Sequence, residues 1–135
     1  MTDADLVAKK LAIVETSCRE VRELARLERI RSDVRERRFV EHTLQVAIQA
    51  ALDVASHIVS DERLGEPATN RDLFALLDSA GWIDAELSRA LQRMAGFRNV
   101  LVHGYAEVDL GIVENAAREG LEDLARFVAA VRGRI

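Results

Sequence analysis

Between positions 98 and 105 the chain reads Arg98-Asn99-Val100-Leu101-Val102-His103-Gly104-Tyr105, and two of these side chains, Arg98 and His103, are suited to work on a phosphodiester. A guanidinium is a permanently charged, forked donor to phosphate oxygens. An imidazole takes or gives a proton near neutrality. Together they describe acid–base chemistry on a phosphate, with Arg98 holding the phosphate and His103 serving as general acid. The residues alone leave a plainer reading open. All but two of the 19 basic residues are arginine, so an arginine five places before a histidine is also what a solvated arginine and a helix-capping histidine look like.

The stretch from Leu87 to Val102 has the period of a helix, with apolar Leu87, Leu91, Met94, Leu101 and Val102, and Gly104 as its stop. His103 then falls in the last turn, where a protonated ring meets the carbonyl end of the helix and can hand a proton to a leaving oxygen. Asn99 shares a face with His103 at i, i+4. Arg98 is turned away from His103 by roughly 140° at ~100° per residue. The two can serve one site only if the helix distorts or a second chain contributes.

Four further helices are expected around this one. The first runs from about Asp3 to Ile30 on a seam of Val7, Leu11, Val14, Cys18, Val21 and Ala25, widened by Leu6, Ile13, Leu24 and Leu27. The second, roughly Val34 to Arg63, is capped by Ser32 or Asp33 and buries Val40, Leu44, Ala47, Ile48, Ala51, Ala55 and Ile58. Its flank carries Gln45, Gln49, Asp53 and His57 at successive i, i+4 spacings, a polar stripe of the kind that lines sites. Asp53 is placed to hydrogen-bond and orient His57, although plain interhelix bonding fits the pair equally well. After the Gly65-Glu66-Pro67 break, Thr69 and Asp72 spell a capping box for a short helix ending before Gly81. Asp84 caps the motif-bearing helix, and a last helix from about Leu110 to Arg132 packs Val113, Ala117, Leu121, Leu124, Phe127, Val128 and Val131.

At 135 residues, 49% hydrophobic and only 4% aromatic, with one proline, the chain reads as a single all-α domain over residues 1–135. A lone Cys18 excludes an intrachain disulfide and suits a reducing compartment. Without a signal-like or membrane-spanning run, a cytoplasmic, soluble protein without membrane association is expected. The net charge of −4 argues against coating nucleic acid by bulk electrostatics. Locally, eight arginines between Arg19 and Arg38 outnumber Glu20, Glu23, Glu28, Asp33 and Glu36. Arg31, Arg35 and Arg37 there are either a phosphate-steering patch or part of an ion-paired helix face.

Other chemistries find no footing. His42, His57 and His103 lack zinc-ligand spacing, no strand precedes a Gly-rich phosphate loop, and no metal or resident cofactor is expected.

Arg98-Asn99 through His103 and Tyr105 matches R-x4-H-x-Y, and with it the chain resembles the HepT-like toxins, a branch of the HEPN superfamily of small helical ribonucleases. The likeness extends to Glu41-His42-Thr43-Leu44-Gln45, to Leu52-Asp53-Val54-Ala55-Ser56-His57-Ile58, to Asp72-Leu73-Phe74 followed by Gly81, and to Asp109, so it covers about Phe39 to Asp109. The resemblance implies an up-and-down bundle of about five helices and a homodimer with a composite site. It implies metal-independent RNA cleavage by the substrate's own 2′-hydroxyl, without action on DNA, with Arg98 and His103 catalytic; the helix-face spacing adds Asn99, Asp53 and His57 as supporting residues. It also implies a minimal nucleotidyltransferase antitoxin that uses ATP to AMPylate Tyr105. A competing function of another class is a noncatalytic helical adaptor that binds a nucleotide or the nucleotidyltransferase.

Overall fold

The computed structural model describes residues 3–103 and 109–135. Gly104 and Tyr105 of the motif lie outside the described residues. Helix α1 (Ala4–Leu24) starts where the Asp3 carboxylate accepts from the backbone N–H groups of Asp5 and Leu6, both at 3.1 Å, which satisfies two of the helix's unpaired donors. Its seam of Val7, Leu11, Val14, Cys18 and Val21 is buried as its spacing predicts.

The helix ends at Leu24, short of the expected Ile30. Ala25 is extended and a 3-10 turn follows at Leu27–Arg29. The cause is the next pair of large apolar residues. Continued as helix, Leu27 and Ile30 would run past the partner helix into water. The turn instead folds Leu27 onto the core and buries Ile30 completely. Arg37 Nε holds the Ile30 carbonyl at 3.1 Å, and Glu36 accepts from the Arg26 N–H.

Helix α2 (Val34–Asp61), capped by Asp33, lies antiparallel to α1 and buries every residue expected of its core face. Helix α3 (Asn70–Ser79) opens with the Thr69–Asp72 capping box, both halves of which are formed. Helix α4 (Ala85–His103) begins where Asp84 accepts from Leu87 N at 2.7 Å. Then α5 (Leu110–Asn115), a π-helical turn (Ala116–Gly120) and α6 (Leu121–Arg132) follow one another with right-handed helical backbone at each junction, so they form one rod. The rod lies antiparallel to α4, since Glu86 reaches Arg126 and Met94 meets Gly120.

One apolar cluster runs from Val7 to Val131, with Phe74 and Phe127 edge to face at its centre, ring centroids 5.8 Å apart. Among the described residues no strand occurs, and no helix is long and apolar enough to cross a membrane. In the arginine-rich corner Arg31 pairs with Glu114 at 2.9 Å and Arg37 Nε donates to the Ile30 carbonyl, while Arg35 stays exposed. Of the three arginines considered for a phosphate-steering patch, Arg31 is thus ion-paired and Arg37 braces the backbone.

Candidate functional site

The carboxyl end of α4 places the motif. Leu87, Leu91, Met94 and Ala95 form its buried face, and Arg98, four residues beyond Met94 and seven beyond Leu91, continues that face at the end of the helix. Its Nε is buried and makes no hydrogen bond, while Nη1 only grazes Asn99 Oδ1 at 3.4 Å. His103 and Asn99 are exposed on another side of the same helix. The angular separation read from the sequence is therefore real, with arginine turned inward and histidine turned outward. Leu101 packs on the core, but Val102, expected there too, is 39% exposed, and Val100 is 52% exposed. The helix end thus keeps one side on the bundle and leaves Val100 and Val102 uncovered on another.

Asp53 and His57 are not brought to this end. The carboxylate of Asp53 takes Lys10 Nζ at 3.0 Å and Gln49 Nε2 at 2.8 Å, and His57 Nε2 faces Asp61 at 3.1 Å and accepts from Asp3 N at 3.2 Å. The expected Asp53–His57 hydrogen bond gives way because His57 has a carboxylate one turn ahead as well as one turn behind, and Lys10 on α1 claims the one behind. These contacts lie where α1 begins and α2 finishes. The end of α4 lies at the opposite pole: Val100, Asp109 and Ile112 wall one cavity, and Glu114, just beyond, pairs with Arg31 ahead of α2. His57 is roughly 35 Å of helical rise from Val34, at 1.5 Å per residue. Gln49 keeps Oε1 buried without a hydrogen bond, as does Glu41 on the same helix.

The cavity beside the motif was not read from the sequence. It lies between α4 and the α5–α6 rod and measures about 550 Å³. Phe97, Met94 and Ile112 supply its apolar lining, and Arg71 and Arg93 its positive charge. Arg71 lies across Gly96, where even a Cβ would collide with the guanidinium Nη2. A glycine inside a helix costs about 1 kcal/mol relative to alanine, and that unexplained cost at Gly96 was the available signal. Among the described residues no group of three or more His, Cys, Asp or Glu side chains could hold a metal ion.

Comparison with known proteins bears on this geometry. A family model described as ribonuclease HepT-like matches residues 14–131. The mRNA nuclease HepT of Shewanella oneidensis is 30% identical over 129 residues, 95% of this chain and 97% of that protein. The tRNA nuclease HepT of Aphanizomenon flos-aquae is 30% identical over 100 residues, 74% of this chain and 68% of that protein. Among solved structures, the tri-AMPylated Shewanella oneidensis HEPN toxin in complex with MNT antitoxin superposes with a TM-score of 0.90 at 29% identity, over 98% of this chain and 100% of that one.

Proposed function

This chain belongs to the ribonuclease HepT-like family, and from that membership we propose that it is the endoribonuclease toxin of a toxin–antitoxin pair, with its site at the end of α4. The observation that carries the reading is Arg98: a guanidinium turned into the bundle, its Nε buried and unbonded, on the same helix end as an exposed imidazole that points to another side. An unmet buried donor costs about 1–3 kcal/mol, and a phosphate anion would supply the missing acceptor.

The reaction asks little of the protein. The substrate's 2′-hydroxyl oxygen attacks the adjacent phosphorus, the 5′-oxygen leaves, and a 2′,3′-cyclic phosphate remains on the upstream fragment. Proximity is built into the ribose. Arg98 holds and neutralises the phosphate, protonated His103 gives a proton to the departing 5′-oxygen, and the 2′-hydroxyl proton passes to water. DNA, without the nucleophile, is not cut. Because Arg98 and His103 point to different sides of α4, each productive pair is drawn from two copies, Arg98 of one and His103 of the other. Uncovered Val100 and Val102 suit such a contact.

The solved relative is AMPylated and bound to an MNT antitoxin. In this chain Tyr105, two residues past His103, is the acceptor, and a nucleotidyltransferase partner supplies AMP from ATP. The added phosphates block the site by bulk and like charge. Asn99, one turn before His103, supports the imidazole. Asp53 and His57 act at a distance, by holding α1 on α2.

Arg98→Ala and His103→Ala are each expected to abolish cleavage of RNA and the cyclic-phosphate product, with the helical circular dichroism spectrum unchanged. Cleavage persisting in the double variant would leave the adaptor reading, in which both side chains merely contact phosphate.

A further inference from the structure

We infer that the cavity between α4 and the α5–α6 rod is a nucleotide subsite, taking the base of an RNA nucleotide that flanks the scissile linkage while Arg71, laid across Gly96, holds its phosphate. The inference rests on the ribonuclease reading for the identity of the ligand, but its geometry stands apart from the catalytic pair.

Three observations converge. First, Gly96 precedes His103 by seven residues, two turns on the same side of α4 and roughly 10 Å of rise. A stacked strand advances ~3.4 Å per nucleotide, so Arg71 lies no more than about three nucleotides from the linkage at His103. Second, Arg71 and Arg93 both line the cavity and make no ion pair or hydrogen bond among the described residues, and Arg71 is laid against α4 across Gly96. The guanidinium groups of this wall can take a phosphate oxygen, while the carboxylates Asp109, Glu119 and Asp123 line the other side of the cavity. Third, the interior offers Phe97, Met94 and Ile112 to a base face, and stacking on such side chains is tolerant of sequence.

The π-helical turn borders this cavity through Ala116, Glu119 and Gly120. It sets Gly120 opposite Met94, where a Cβ would come within 2.6 Å of the methionine methyl. On the far wall Asp109 Oδ1 accepts from Gly111 N and Asp123 Oδ1 from Arg126, whereas Glu119 has no hydrogen bond or ion pair among the described residues. A free carboxylate accepts from an exocyclic amino group, so Glu119 favours amino-bearing bases over uracil.

Methionine occurs only twice in the chain, so the methyl resonance of Met94 reports directly on the cavity. The full-length protein, labelled with 13C at the methionine methyls, is titrated with an octaribonucleotide made uncleavable by 2′-deoxy substitution at the scissile position. The expected result is a shift of the Met94 methyl on binding, with affinity falling about tenfold in Arg71→Gln and remaining at the wild-type value in Arg19→Gln, which removes the same charge from α1. Gly96→Ala retains Arg71 but displaces its guanidinium, and is expected to lower affinity similarly. RNA binding with an unmoved Met94 methyl, or equal losses for Arg71→Gln and Arg19→Gln, overturns the subsite. Because this RNA cannot be cut, the outcome is independent of catalysis: a protein that never cleaves RNA but loses affinity on Arg71→Gln retains the subsite and loses the ribonuclease reading.

Discussion

Arg98 occupies a position that favours a hydrophobic residue for stability. It extends the face of Leu87, Leu91 and Met94, and its buried Nε has no partner. Replacing it by methionine, of similar length, removes the unmet donor and keeps the packing. Arg98→Met is therefore expected to raise thermal stability by about 1 kcal/mol, a few degrees in Tm for a domain of this size, while abolishing RNA cleavage. Calorimetry checks the first half, and a lower Tm would show that the guanidinium is well solvated and not a cost. Cys18 shows the opposite economy, a polar group left neutral. Burial pushes its thiol from 9.0 up to about 11, so the fold binds the proton more tightly than the unfolded chain does. The stability this represents is fully present below pH 9 and is lost as pH rises towards 11. Thermal melts across that range should show the decline, and Cys18→Ala should flatten it. A thiol reagent at pH 8 should leave the native protein unlabelled.

Among the elements, α1 and α6 are tied at the surface by a bidentate pair, Arg132 Nη1 and Nη2 to the two carboxylate oxygens of Glu15 at 2.8 and 2.6 Å. The hydrogen bond from Arg132 holds the Glu15 carboxyl below its ordinary 4.5. A depressed carboxylate stabilises the fold above that ordinary value and stops doing so as pH falls through the lowered one. Both side chains are about half exposed, so the contribution is under about 1 kcal/mol and screened by salt. Glu15→Gln should accordingly lower Tm slightly at pH 7 in low salt and match the parent in strong acid. Helix identities were legible in the sequence wherever period and cap coincided: Thr69 with Asp72, Asp84 before Leu87, and the heptad-like rows of α2 and α6. They were illegible where tertiary packing chose between local options. The apolar period of α1 continues through Leu27 and Ile30, and nothing local says that the chain turns so these residues can close the base of the core. His57 has carboxylates at both i−4 and i+4, and only Lys10, 43 residues away from Asp53 in sequence, decides which one it meets. The π-helical turn leaves no mark on the hydrophobic pattern, because Ala117, Leu121 and Leu124 stay buried through it.

For the whole molecule, the separation of Arg98 from His103 around α4 decides how many chains make one site. The sequence gives the angle, and the structure adds that one side chain faces the bundle and the other faces out. If a productive pair comes from a single copy, a dimer of Arg98→Ala with His103→Ala contains no intact pair. If each pair is drawn across a two-fold axis, the mixed dimer keeps one complete site, Arg98 from the His103→Ala copy and His103 from the Arg98→Ala copy, and its second site loses both groups. Random mixing makes half of the dimers mixed, each with one of two sites, so co-folding the two inactive variants in equal amounts should restore about a quarter of wild-type cleavage. Apolar Val100 and Val102, 52% and 39% exposed at this pole, make the association itself separable from the chemistry. Val102→Arg should disperse the assembly in analytical ultracentrifugation and remove cleavage together with it, although it leaves Arg98 and His103 unsubstituted. Mixed variants that stay inactive while sedimenting as dimers would return both groups to a single chain and require α4 to distort before it can act.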